Sequence, residues 1–344
     1  MVPRLMPEID GTSTTSEAET AQVSARDATD TSSKILAIIY DYALDKSDDT
    51  ESKHAAGTPK FLSVIDKYVT TGRQVKMCLP AFPFKSANKV HKVFGALPDK
   101  AEELALDRLN TMCARIAGVY SPGAKCTIIS DGLLYNDREV WAYGESLRAM
   151  ALQKGFLNID FARLRDLVDF PFPLPERLDE VTYVANATNF RRCVLNTFGK
   201  DDLDIGREIA TNQDTLMTYC GYCRFLGSDL QYVFPSASGK MYRKTVKYMA
   251  RQMLIRGYAF TGALKPRYPD HLRLSIHQST GEHKVSLSLL NTETGYTTPW
   301  HCGVALMADG EWLSGPVGDF KENPRLDVVY EDGRPSYFRE RTTE

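Results

Sequence analysis

Along His271-Leu272-Arg273-Leu274-Ser275-Ile276-His277 a guanidinium, two imidazoles and a hydroxyl alternate with aliphatic side chains. In an extended strand neighbouring side chains face opposite ways, so Leu272, Leu274 and Ile276 share one face while His271, Arg273, Ser275 and His277 share the other. That polar face could bind an anion and move protons near neutral pH. The run Lys284 to Leu290 repeats the pattern, with Val285, Leu287 and Leu289 opposite Lys284, Ser286 and Ser288. Gly281 predicts a turn between the two runs, and hence a hairpin whose polar faces form one ligand wall. A solvent-facing strand would carry the same residues, so enclosure of this face decides between the two readings.

Other segments could serve the same chemistry. In Leu79-Pro80-Ala81-Phe82-Pro83-Phe84-Lys85-Ser86, followed by Asn88, prolines and aromatics stiffen a loop that presents an amine, a hydroxyl and an amide. Lys85 could bind an anion or act as an acid or base, or it could be a solvated side chain on a hydrophobic loop. Ser130-Asp131-Gly132 offers either a carboxylate at a strand end or simply a turn with an Asx hydrogen bond. Thr298-Pro299-Trp300-His301 sets an imidazole beside a large aromatic, as a site wall or as a buried histidine bonded to backbone. Cys220-x-x-Cys223 lacks the second pair that zinc needs and the strand-to-helix setting of a redox motif, so both read as ordinary thiols. No glycine-rich phosphate loop follows any predicted strand, which gives a nucleotide cofactor no support.

The elements that must position these residues follow from periodicity. Strands are predicted at Val75 to Leu79, Lys125 to Ser130 and Leu157 to Phe161. A helix between the first two is capped by Asp99 with Glu102 three residues on and ends at Gly118; a second, capped by Asp137, closes at Gly155. This alternation argues for a parallel α/β sheet, in which ligands bind beyond the carboxyl ends of the strands. Lys85 and Asp131 would lie there. The expected organisation is a disordered tail over 1 to about 31, then a catalytic region from 32 to 344. The latter comprises a parallel α/β part over about 60–170, a helical part over about 175–260, and a β-rich part over about 261–320, after which the end looks polar and partly irregular.

Composition narrows the function class. The 344 residues carry 42 Lys and Arg against 44 Asp and Glu, a net charge of −2. No positive excess is available to neutralise a phosphate backbone, so nucleic acid is not an expected partner. No run approaches the roughly 18 to 20 apolar residues of a membrane span, and no signal peptide is readable. Together with seven cysteines, an odd number set mostly in apolar runs, this predicts a cytoplasmic protein without a disulfide framework.

Taken together, four blocks resemble the isocyanide synthase family of pyoverdine and dityrosine biosynthesis, in its fungal form. They are Leu79 to Ser86, Ser130 to Gly132, Tyr219 to Leu230, and Arg273 to His277 with Thr298 to His301, in family order. The resemblance implies a Rossmann-like core and condensation of an amino-acid amine (tyrosine, tryptophan or valine type) with the C2 carbonyl of ribulose 5-phosphate. Phosphate leaves, the sugar chain fragments, and C2 remains as the isocyanide carbon. It implies no metal or redox cofactor for this step, and a separate iron and 2-oxoglutarate dependent oxygenase as a pathway partner. That chemistry needs acids, bases and cations. Lys85, Asp131, His277 and His301 are the catalytic candidates; Ser86, Asn88, Arg267, Arg273, Lys284 and Trp300 are the substrate-binding candidates, with Lys85 also able to hold an anion. Formation of an N-formyl amino acid and non-catalytic phosphosugar binding remain open alternatives.

Overall fold

The computed structural model describes residues 14–44, 54–130, 132, 139–162, 167–169, 180–232 and 238–341. Helix α1 (Thr14–Tyr40) and helix α2 (Thr58–Val69) lead into strand β1 (Val75–Pro80). Helix α3 (Lys100–Val119), strand β2 (Ala124–Ile129), helix α4 (Glu139–Gln153) and strand β3 (Ile159–Phe161) follow. The predicted cap is present: the Asp99 side chain accepts from Ala101 N, and Glu102 reaches back to Asp99 N. Gly155, at φ +70°, turns the chain out of α4. Next come helices α5 (Glu180–Phe198), α6 (Ile205–Thr211), α7 (Gln213–Asp229) and α8 (Gly239–Arg267), then strands β4 (Leu272–Ser275) and β5 (Val285–Ser286). A 3-10 turn (Pro299–His301) precedes β6 (Gly303–Leu306), β7 (Trp312–Gly315), helix α9 (Val317–Glu322), β8 (Leu326–Glu331) and β9 (Arg334–Glu340).

Five parallel strands form one sheet in the order β3-β2-β1-β4-β5. The chain therefore builds outward from β1 on one side and returns to its other side with β4. Strand alternation then decides what each face meets. Met77, Leu79, Leu272 and Leu274 share a core with α3, whereas Cys78 and Ile129 pack with Ala259, Phe260 and Ala263 of α8. Helices thus cover both faces, as an all-parallel sheet requires. The expected Rossmann-like α/β class is what the chain adopts.

Several expectations are corrected. The hairpin does not form: β5 runs parallel to β4, with Leu274 opposite Val285 and Ser275 opposite Ser286. The residues after it find other partners, because Leu44 N bonds Ser286 O, Ser288 N bonds Tyr42 O and Leu289 N bonds Thr297 O. Pairing with the segment after α1 leaves no ladder for an antiparallel return. The region beyond 261 is also divided, since β4 and β5 join the first sheet while β7-β6-β9-β8 form a second. The supposedly irregular end is the β8–β9 hairpin, turned at Asp332 (φ 51°) and Gly333 (φ 72°), the left-handed pair that Asp-Gly favours. Helix α1 begins within the expected tail; among its described side chains Ser32, Ile35, Leu36 and Ile39 are buried, while Asp27, Thr29 and Asp30 are exposed.

Candidate active site

Because strand order reverses between β1 and β4, their carboxyl ends border a crevice at the switch point. The loop after β1 is rigid there. Phe82 is buried at φ 56°, a conformation a bulky side chain adopts only when its surroundings enforce it. Its ring lies 5.2 Å from that of Trp300, and its carbonyl accepts from Ser130 Oγ at 3.2 Å. Gly132 lets the chain pass closely, since a Cβ there would meet the Pro83 carbonyl at 2.6 Å. Ser86 N donates to the Trp300 carbonyl at 2.8 Å, and Asn88 Nδ2 to the Ser228 carbonyl at 3.0 Å. The loop is thereby pinned both to the 3-10 turn and to the end of α7.

Two imidazoles meet at this crevice. His301 Nδ1 lies 3.1 Å from Asp229 Oδ2, with the ring N–H turned off the line between the atoms, and the Phe225 ring lies 4.6 Å from the imidazole. Lys92 Nζ lies 2.5 Å from Asp229 Oδ1. Burial would raise the Asp229 carboxyl, but His301 and Lys92 outweigh it and bring it down to about 2. Burial lowers His301, opposed by Asp229 and assisted by Lys92 and Lys85. His277 packs edge-on against Tyr222 of α7 at 5.2 Å; burial, then Lys284 and His301, bring it down to about 3. It is a neutral imidazole at pH 7.

The polar face of β4 is enclosed. Ser275 and Ser286 are buried, and Arg273 reaches Cys78 Sγ at 3.9 Å. Lys284, the residue before β5, lies close enough to Arg273 of β4 for the two positive charges to repel. Burial lowers Lys284, with Asp214 opposing and Arg273 adding to the shift. Among the described residues no carboxylate lies within ion-pairing distance of this half-buried lysine. An adjacent pair of cations is unfavourable unless an anion joins it.

Other candidates are placed differently. Lys85 is fully buried, 2.7 Å from Glu102 and 2.9 Å from Asp99, and it donates to the Pro299 carbonyl at 3.3 Å. Burial would lower its pKa, but the two carboxylates prevail and hold it charged. The two paired carboxylates neutralise its charge inside the protein, and Tyr143 completes the cluster by donating to Glu102 Oε1 at 3.1 Å. Arg267 lies at the end of α8, paired with Asp169 at 2.6 Å. Asp131 is outside the described residues. Trp300, 3% exposed, packs against Phe82 behind the turn. The seven cysteines are unpaired, Cys220 and Cys223 among them. Among the described residues no group of three His, Cys, Asp or Glu side chains could hold a metal ion, and no helix is long and apolar enough to cross a membrane.

Comparisons with known proteins place these residues in context. The family model described as pyoverdine/dityrosine biosynthesis protein matches residues 65–329. The isocyanide synthase-NRPS hybrid crmA of Aspergillus fumigatus is 57% identical over 313 residues, covering 90% of this chain and 20% of that protein. Isocyanide synthase xanB of the same organism is 38% identical over 341 residues, covering 96% of this chain and 44% of its own length. This chain therefore spans less than half of either relative. The crystal structure of the PvcA protein from Pseudomonas aeruginosa superposes with a TM-score of 0.79 at 25% identity, over 90% of this chain and 100% of that one.

Proposed function

This chain belongs to the pyoverdine/dityrosine biosynthesis family, and on that premise we propose that it is an isocyanide synthase converting the amine of an L-amino acid to an isocyanide. One observation carries the reading: the family match, residues 65–329, contains the side chains placed at the crevice, Asp229, Arg273, His277, Lys284 and His301. In the proposed reaction ribulose 5-phosphate supplies the carbon. Its C2 carbonyl condenses with the amine, phosphate is eliminated, and the remaining sugar carbons are cleaved away.

The crevice residues suit those steps. Imine formation needs a proton donor at the departing carbinol oxygen, and elimination needs a base near a C–H bond. His301, beside a carboxylate, suits the donor; His277, neutral over the working pH range, suits the acceptor. Arg273 and Lys284 supply adjacent positive charge for the phosphate or the carboxylate. Lys85 acts from behind, tying Asp99, Glu102 and the Pro299 carbonyl together and so holding the turn that carries His301. Ser86 and Asn88 fix the same wall. The cytoplasm, where unpaired thiols stay reduced, fits the seven free cysteines. A tailoring oxygenase would act on the product.

Incubation with ribulose 5-phosphate and a panel of tyrosine, tryptophan and valine, read by mass spectrometry, tests the proposal. An isocyanide from one or more of them is expected. An N-formyl amino acid as sole product, or ligand-induced stabilisation without turnover, would replace the reading with the dityrosine-type or the binding-only one.

A further inference from the structure

We infer that Asp229 is a positioning residue that holds His301 by Nδ1 and leaves Nε2, on the opposite edge of the ring, to exchange protons in the crevice, with Lys92 as its buried counter-cation. This rests on the isocyanide synthase reading for its chemistry, but the geometry stands by itself. Three separate pieces of chain meet: Lys92 from the loop after β1, Asp229 at the last residue of α7, and His301 at the last residue of the 3-10 turn. Each carboxylate oxygen faces its own group, Oδ1 the Lys92 ammonium that donates to it at 2.5 Å and Oδ2 the His301 Nδ1 at 3.1 Å, a close approach without an aligned hydrogen bond.

A carboxylate this buried, 5% exposed, is costly unless paired. Lys92, 2% exposed, supplies the pairing charge, so Asp229 remains an anionic acceptor whether His301 is protonated or neutral. An ion pair with His301 alone would dissolve each time the imidazole gave up its proton. Helix α7 also fixes the ring plane, because Phe225 lies one turn before Asp229 and contacts the imidazole face. The helix end is in turn held by Asn88, which donates to the Ser228 carbonyl, and by the Tyr242 hydroxyl, which donates to the Gly227 carbonyl at 2.7 Å. The ionisable groups influencing His301 are Asp229, Lys92 and Lys85, with His277 across the crevice. Asp229 attracts the protonated imidazole and the others repel it.

The test uses the full chain with 15N-labelled histidines, His301 being assigned with His301→Gln. In the wild type neutral His301 should carry its proton on Nδ1. Asp229→Asn should shift that tautomer balance and lower the pH at which His301 titrates. Lys92→Met should raise that pH, and Lys92→Arg should restore it. In the product assay Asp229→Asn should lower kcat by about 100-fold or more at saturating substrates, with a much smaller change in KM. An Asp229→Asn protein that folds and keeps the wild-type tautomer, titration and kcat overturns the inference. If Asp229→Asn does not fold, the opposed pair Lys92→Met and Lys92→Arg decides, and a His301 titration unmoved by Lys92→Met overturns it equally. A wild-type chain that makes no isocyanide sinks the functional reading, while the tautomer and titration results still judge the positioning of His301.

Discussion

Burial lowers both imidazoles of the crevice, and for His277 the shift is large. His277 has its ordinary value of 6.5 in the unfolded chain but about 3 when folded. Between those limits the unfolded chain binds a proton that the folded one refuses, so stability is full above pH 6.5 and falls as the pH drops toward 3. Asp229 adds a later loss: its folded value of about 2 lies below the ordinary 3.8, so its contribution of about 2 kcal/mol is present above pH 3.8 and disappears as the pH falls through 2. Urea denaturation across this range should show His277→Gln flattening the decline between pH 6.5 and 3 while leaving the lower step in place. Kinetics should separate neighbours on one strand face. Arg273→Ala should weaken ribulose 5-phosphate binding by about 10- to 150-fold, whereas His277→Ala should lower turnover at saturating substrate by about 100- to 10,000-fold. Wild-type kinetics for both folded variants would remove this face from the account. Side-chain alternation made Arg273, Ser275 and His277 readable as one face, and the resemblance drew His301 to the same region. The partners of Lys85 were not readable in that way. Asp99 and Glu102 announce a helix cap, and nothing local says that Asp99 Oδ2 and the capping oxygen Glu102 Oε2 also close on a lysine fourteen or more positions back. Asp229 and Lys92 were missed because 137 positions separate them, and neither belongs to a periodic pattern.

Among the elements, those read correctly carry local signals: the Asp99 capping box, the strand runs ended by Pro80 and by Ser130, and the glycine at the close of α4. The β4–β5 pairing failed because the alternation of Lys284 to Leu290 fixes faces but not direction, and the true neighbours, Tyr42 to Leu44, lie far away in sequence. The C-terminal hairpin carries its own local signal in Asp332-Gly333, the pair that turns it. Helix α1 shows how an Ala-, Thr- and Glu-containing segment can be helical without an apolar face over its first turns. Since Asp27, Thr29 and Asp30 are exposed and the first buried side chain among the described ones is Ser32, deletion of residues 1 to 30 should leave the melting temperature and activity within error of the full chain. A large fall would show that the first half of α1 packs. Leu274→Ala makes the opposite case: its fully buried side chain lies in the main core, so the loss should be about 2 to 5 kcal/mol in equilibrium denaturation, with the folded fraction keeping normal KM values. A raised KM would mean that β4 also needs Leu274 to aim Arg273.

For the whole molecule, the order β3-β2-β1-β4-β5 turns scattered segments into one crevice, since residues from the loop after β1, from α7, from β4 and from the 3-10 turn converge where the strand order reverses. The sequence pattern revealed the parallel unit. It did not reveal which side of β1 the later strands would occupy, because that depends on how α5 and α8 cover the sheet. In the proposed reaction an amino-acid nitrogen acquires its isocyanide carbon from C2 of ribulose 5-phosphate. The most direct measurement supplies ribulose 5-phosphate carrying 13C only at C2, with the accepted amino acid labelled with 15N, and reads the product by 13C and 15N NMR. A 13C–15N bonded pair at the isocyanide shift is expected; an unlabelled isocyanide carbon, or label found only in a sugar fragment, would rule out this carbon source.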